Sequence, residues 1–250
     1  MEREDAALEL LDGSLDDPGV LAGNLRDLRR INRWLGGVSL SAAAIDSLAA
    51  HRAELSVLDI GTGGADIPVA LLERARRRGR GLTVIAVDER PEILAAALQA
   101  DPMLATVDGL RLEVGDGLSL AFPDRSFDVA HTSLLLHHLG PASVVALLRE
   151  MGRIARLGIV VNDLDRSRVG WIGAWLLGHL LTTNRYTRND APLSVRRAYR
   201  PSEVKELMTA AGLRPVRIHR GAALQRYAIA AIVAPSVDAL GPLDAVDGGG

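Results

Sequence analysis

An α/β fold built on a mainly parallel sheet with helices on both faces is predicted by three observations. An apolar strand runs into a glycine-dense turn and then a helix at residues 58–68, LDIGTGGADIP. Strand-like runs alternate with helical stretches through the first part of the chain, as they do where parallel strands are joined by crossover helices. A hydrophobic content of 48% is enough for a sheet covered on both sides.

The elements follow in order. Residues 1–50 show helical spacing, with Leu21, Leu25, Leu28 and Ile31 three or four apart, then Trp34 and a stop at Gly36 and Gly37. They are expected to form an N-terminal helical cap over the rim of a site. Strands are predicted at 55–60, 82–87, 110–114, 126–131, 157–162, 214–220 and 226–234. The ligand-binding core spans 51–164, and a helical insertion that lids a substrate spans 165–200. Within it, VGWIGAWLLGHLL (169–181) is apolar on several sides. A buried helix walling a pocket, a dimer contact and a weak membrane-surface contact all give that pattern. A helix and the last strands occupy 201–234, and the tail 235–250, ending in DGGG, is expected to be flexible. At 250 residues this amounts to one domain.

The glycine turn is where a ligand can touch backbone. Gly61, Gly63 and Gly64 can adopt positive φ and present no β-carbon, and the helix beyond begins with unpaired N–H groups. From Leu82 the run LTVIAVDER gives a strand ending in Asp88, whose carboxylate can accept both hydroxyls of a ribose. LEVGD ends in Asp116, and FDVAHT ends in Thr132. Four strands therefore bring polar groups to one rim. An NAD-dependent dehydrogenase shares the glycine turn and the ribose acid, but its GxGxxG spacing requires glycine where this chain has Asp66.

Four blocks in this order, LDIGTGG, VIAVD, VGDGLSLAFPDRSFDVAHTSLLLHHL and GIVVNDL, resemble the class I S-adenosylmethionine-dependent methyltransferases over about residues 55–234. The resemblance implies a Rossmann-like seven-stranded sheet with a reversed final strand, and S-adenosylmethionine as cofactor with S-adenosylhomocysteine as product. It places Asp59 and the turn of Gly61, Thr62 and Gly63 beside the methionine moiety, Asp88 on the ribose, Asp116 near the adenine amino group and Leu118 on the adenine face. Glu89, Gly117 and Thr132 join them as cofactor-contacting candidates. Two departures stand out: Ala65 occupies the position of the usual third glycine, and IARLG replaces the common proline-glycine-glycine turn before the fifth strand. The downstream run from VVNDLDRSRVG to NDAPLSVRRAY resembles a bacterial subgroup associated with polyketide, phenolic-lipid and quinone-type substrates.

Two imidazoles, His137 and His138, follow the fourth strand in SLLLHHLG. An imidazole of reference pKa about 6.5 is a suitable general base for a phenol of about 10. In small-molecule members of the family a histidine in this place serves as base with an acid after the fifth strand, a pattern that His138 and Asp163 fit. His137 competes for the role. His131 is less suited, because it falls within a strand. The expected reaction is O-methylation of a small aromatic acceptor in secondary metabolism. Its alternatives are C- or N-methylation of a small molecule, the dehydrogenase, and a non-catalytic adenosyl-binding interaction protein.

Composition limits the rest. With no cysteine, disulfides and thiolate metal sites are excluded, and no metal is expected. Asn162 and Asp163 are the place where oxygen ligands for magnesium would stand. The net charge is −2, and the arginine run at 74–80 falls at a predicted helix end, where cations suit the dipole. It is read as a solvated cap, so nucleic acid is not an expected partner. The acidic start MEREDAALEL does not make a secretory leader and no run is long enough to span a bilayer. A cytoplasmic protein without stable membrane insertion is expected, with a homodimer possible.

Overall fold

The computed structural model describes residues 1–4, 7–13, 15, 17–221 and 226–233. The predicted tail, 235–250, lies outside them, as does Ala234. Seven strands lie in the order β3-β2-β1-β4-β5-β7-β6. They are β1 (Glu54–Ile60), β2 (Gly81–Asp88), β3 (Leu110–Val114), β4 (Phe127–Ser133), β5 (Ala155–Leu164), β6 (Leu213–Arg220) and β7 (Arg226–Val233). The first five run parallel, and β7 is antiparallel to both of its neighbours. The sheet expected from the sequence is therefore present, reversed last strand included. β5 runs two residues past its predicted end, so Asp163 belongs to the strand rather than to the loop after it.

Among the described residues eight α-helices surround it: α1 (Pro18–Trp34), α2 (Gly37–Ala49), α3 (Asp66–Arg77), α4 (Pro91–Ala100), α5 (Pro141–Ile154), α6 (Arg168–Leu180), α7 (Arg185–Arg197) and α8 (Pro201–Ala210). Period-2 alternation in the strands divides the core. Leu58, Ala130, Ile159, Val161 and Ile229 face Leu147, Met151 and Met208 of α5 and α8. Val57, Val129, Val160, Ala228 and Ala230 face Leu40, Ile45, Ile67 and Leu71 of α2 and α3. The N-terminal extension therefore serves two purposes. α2 covers a sheet face, while α1 lies beside α4 and α7 and carries on toward the rim.

The arginines at the end of α3 and just after it are absorbed locally. Arg78 and Arg80 hold Asp46 at 2.8 and 2.9 Å, and Arg76 donates to the Asp108 carbonyl. The insertion folds as two helices, α6 and α7. Its conspicuous side chains tie it to neighbouring segments: Arg166 pairs with Glu203, Arg196 with Glu4, and the Tyr199 hydroxyl donates to the Leu139 carbonyl.

Gly158 has φ of 153°, and a Cβ there would stand 2.3 Å from the Ala231 carbonyl oxygen across the β5–β7 ladder. Gly158→Ala is expected to lower unfolding stability by about 1–3 kcal/mol, measured by denaturant titration. An unchanged midpoint would show that these strands tolerate a side chain between them.

Candidate active site

The carboxyl ends of β1, β2 and β4 converge on the glycine turn. Gly61 and Gly63 have φ of 69° and 55°, and the next left-handed residue is Ala65, at 52°, rather than the predicted Gly64. An alanine is strained in that region. Ala65 is fully buried and precedes α3, where a helix must start abruptly from the turn. Asp88 organises the loop. Its Oδ2 accepts from the Gly63 amide at 2.9 Å and its Oδ1 from the Arg90 amide at 3.1 Å. Burial raises the Asp88 pKa, and these two amides oppose the rise. Thr62 donates its amide to the Val87 carbonyl, but its buried Oγ1 has no hydrogen-bond partner among the described residues.

Past β3, Asp116 is exposed and accepts from the Leu118 amide at 2.8 Å, leaving the Leu118 side chain open to solvent. Gly117 packs on Ile60, where a Cβ would come within 2.7 Å. Glu89 is exposed beside Asp88. An adenosyl group fits this row. Gly61 and Gly63 admit backbone approach, Thr62 offers an unused hydroxyl, and each Asp88 oxygen retains a lone pair beyond its single amide bond.

Two predicted contacts lie one layer below. Thr132 is fully buried and donates its hydroxyl to the Ile60 carbonyl, so it fastens β4 to β1 instead of facing a ligand. Asp59 is buried, with Oδ1 2.5 Å from His131 Nδ1, and His131 Nε2 meets Ser41 Oγ at 2.7 Å. His131 thus supports Asp59 from inside the sheet.

Beyond β4, residues 134–138 join this region to a second one. Leu135 lies over the glycine turn, with Cδ2 3.0 Å from where a Gly61 Cβ would be. Leu134, His137 and His138 line a cavity of about 360 Å³, walled also by Leu28, Ile31 and Trp34 of α1, Ala174, Leu177 and Gly178 of α6, and Ala191 and Val195 of α7.

The histidines take different partners. His137 is buried and its Nδ1 meets Asp163 Oδ1 at 2.8 Å, whereas His138 Nδ1 meets Asp12 Oδ1 at 2.7 Å. The expected pairing of Asp163 with His138 is therefore corrected. Both residues lie in a 3₁₀ turn, Leu136–His138, in which successive side chains are about 120° apart, so one points to β5 and the other to the N-terminal segment. Burial works against ionisation of Asp163, yet the charge and hydrogen bond of His137 hold it below the ordinary carboxylate range. Asp12 is likewise held low despite burial by His138 and Arg197.

Glu9 lies between the rings. Its Oε1 is 3.9 Å from His137 Nε2, its Oε2 is 3.9 Å from His138 Nε2, and Ser194 donates to Oε2. Burial pushes the Glu9 carboxyl up to about 7, against the pull of His138 and Ser194. One ligand atom from each of Glu9, His137 and His138 falls within 4.8 Å of the others, near enough to share a divalent cation. Asn162 is turned away from them, donating to Gly37 O and Ser41 Oγ.

Arg226 completes the wall. It is buried, and its three nitrogens donate to Asn162 Oδ1, Asn32 Oδ1 and Ser133 Oγ at 2.6–2.7 Å. Burial lowers its pKa to about 10, while Asp163 and Asp66 act in the opposite direction. Sequence reasoning missed both Glu9 and Arg226. For Arg226 a signal existed, a lone charge opening the otherwise apolar strand RYAIAAIV; for Glu9 the acidic N-terminus held none.

The glycine turn and Asp88 at the strand ends are joined by one short turn to a largely apolar cavity with paired imidazoles, an arrangement suited to group transfer on an α/β sheet. Residues 57–158 match the methyltransferase domain family. The chain is 32% identical over 167 residues to a demethylmenaquinone methyltransferase of Roseiflexus castenholzii, covering 62% of this chain and 66% of that protein. It is 30% identical to the enzyme of the same name from Thermus thermophilus, over 68% of this chain and 78% of that one. A crystal structure of an S-adenosylmethionine-dependent methyltransferase from Aquifex aeolicus superposes with a TM-score of 0.60 at 17% identity, covering 87% of this chain and 98% of that one. The chain belongs to the class I S-adenosylmethionine-dependent methyltransferases, whose methyl donor is that cofactor.

Two expectations follow. With Asp88 as the expected acceptor of the ribose hydroxyls, Asp88→Ala is expected to cost about 1–3 kcal/mol of S-adenosylhomocysteine affinity in calorimetry; equal affinity would reject that role for Asp88. The second concerns pH. Glu9 titrates near 7 when folded against 4.5 in its ordinary state, so the folded protein holds a proton that the unfolded chain has released. Its contribution to stability is complete below about pH 4.5 and is lost as pH rises to 7, on the order of 3 kcal/mol in all. Melting temperatures of wild type and Glu9→Gln measured from pH 5 to 8 should diverge, the wild type falling relative to the variant. Parallel curves would reject the assignment.

Proposed function

We propose that the protein transfers a methyl group from S-adenosylmethionine to a hydroxyl oxygen of a small phenolic or quinol-type aromatic held in the cavity. The observation that carries this reading is the 134–138 turn, whose Leu135 covers the glycine turn while Leu134, His137 and His138 face the cavity. Donor and acceptor are thereby held on two sides of one short segment, and positioning of this kind supplies much of the rate of a displacement. The bound cofactor supplies an electrophilic methyl on a sulfonium. Asp88, Thr62, Asp116 and Leu118 hold its adenosyl part, with Asp59, Gly61, Gly63, Glu89 and Gly117 shaping the pocket around it.

His137 is the preferred base. Asp163 accepts a hydrogen bond from its Nδ1–H, which leaves Nε2 as the lone-pair nitrogen on the side of the cavity. His138, supported in the same way by Asp12, is second. The Arg226 guanidinium adds a fixed positive charge to the wall, which favours a phenolate as the hydroxyl proton leaves. α1, α6 and α7 act as the lid and keep water from the reaction. The relatives' name, demethylmenaquinone methyltransferase, supports a quinone-related ring over other phenols. It also supports a second reading, transfer to a ring carbon, because a deprotonated quinol carries negative charge on carbon as well as oxygen. Transfer is proposed to need no metal, and the setting is proposed to be cytoplasmic and secondary-metabolic.

Phenols, hydroquinones and phenolic lipids should be screened by mass spectrometry for the gain of one methylene, with product NMR to locate it. His137→Ala is expected to lower turnover about 10²- to 10⁴-fold, with a smaller loss for His138→Ala. Equal turnover by all three proteins would eliminate the histidine base, and a C-methyl product would select the second reading. Activity should survive chelation. Loss restored by a divalent ion would instead make Glu9, His137 and His138 its ligands.

A further inference from the structure

α6 is apolar on both sides. Ala174, Leu177 and Gly178, with Leu181 just past its end, turn to the cavity, while Val169, Ile172, Leu176 and Leu180 are exposed, Leu180 by 74%. The chain has three tryptophans, and all of them lie here: Trp171 and Trp175 on the outer side of α6, 36% and 43% exposed, and Trp34 at the end of α1, 72% exposed. Trp34 and Leu181 are at once exposed and cavity-lining, so the cavity mouth opens onto this surface. Large apolar side chains in such a cluster mark a docking face.

The surrounding charge identifies the occupant. Arg30 and Arg33 flank Trp34, Arg168 opens α6, and Arg185 and Arg188 lie in the first turn of α7, whose Arg188 backbone packs on Gly178 of α6. All five are exposed, although the chain as a whole carries a net charge of −2. The carboxylates lining the same cavity, Glu9, Asp27 and Asp190, are buried or bound within the chain. A two-fold contact between copies would bring this arginine rim against itself. An anionic bilayer instead neutralises the arginines while tryptophan and leucine enter the headgroup boundary. At thirteen residues α6 is about 20 Å long, too short to cross a bilayer but suited to lying in its surface.

We propose that the outer face of α6, with Trp34, docks on an anionic lipid surface and places the cavity mouth where an amphiphilic acceptor enters directly from the membrane. This rests on the proposed methyl transfer only in its choice of an amphiphilic acceptor, and its test reads lipid binding without turnover. Because every tryptophan is on the face, intrinsic emission reports its occupancy. Vesicles of mixed phosphatidylglycerol and phosphatidylcholine should shift emission to the blue and co-sediment the protein, and phosphatidylcholine alone should bind at least ten-fold less. Raised salt should weaken binding. Ile172→Glu/Leu176→Glu and, separately, Arg33→Glu/Arg188→Glu should each abolish co-sedimentation while keeping S-adenosylhomocysteine binding. Brominated lipids should quench wild-type emission, a readout that needs no variant. Absence of binding to anionic vesicles, binding unchanged in the α6 variant, or a solution dimer that the same variant dissociates would each overturn the proposal. Vesicle binding without methylation of any phenolic acceptor would leave it standing and count against the proposed reaction instead.

Discussion

A guanidinium shut away from water has to have its donors satisfied, and Arg226 meets that demand by drawing three separate parts of the chain together. Asn32 comes from α1, Ser133 from the end of β4 and Asn162 from β5. Asn162 continues the network by donating to Ser41 of α2, which meets His131, which meets Asp59 near the carboxyl end of β1. One run of polar contacts therefore extends from the wall of the cavity to the end of β1. The N-terminal helices are locked to the catalytic sheet by charge satisfaction as well as by apolar packing. Gly37 belongs to the same constraint, since a Cβ there would come within 2.8 Å of an Arg226 nitrogen.

The sheet was legible because its signals are local and periodic. Strand ends, acids after strands and the glycine turn can each be read within ten residues or so, and Asp88 and Asp116 stand at the strand ends where those runs place them. Side-chain direction within an irregular turn is a different matter. Residues 134–138 carry no period, and Leu134 has φ of 56°, so nothing local says which imidazole turns toward β5. Thr132 shows the same limit from the opposite side. It stands at the predicted rim, but strand alternation turns it inward to the Ile60 carbonyl. Long-range polar pairing was hidden altogether, for Glu9 meets Ser194 across 185 positions and Asn32 meets Arg226 across 194.

The N-terminal segment contributes more than cover. Asp12 binds both His138 and Arg197, and Asp190 accepts from the amides of Leu10 and Leu11, so a turn of three residues, Leu10–Asp12, is held on α7 by charge and hydrogen bonds with little hydrophobic area. Such an attachment is weaker per contact than a packed core and is the kind of element that opens locally. Because the attachment includes one of the two imidazoles, release of this segment would change the surroundings of His138 before those of His137, whose Asp163 partner is fixed in β5.

Charge balance explains why Glu9 sits so differently from its neighbours. Asp163 and Asp12 each have an imidazole in direct contact, and Asp12 has Arg197 besides, so both remain ionised. Glu9 stands 3.9 Å from each ring, too far for a hydrogen bond, and its Oε1 has no partner among the described residues. Desolvation therefore governs its state, and near neutrality the group is poised between neutral and charged.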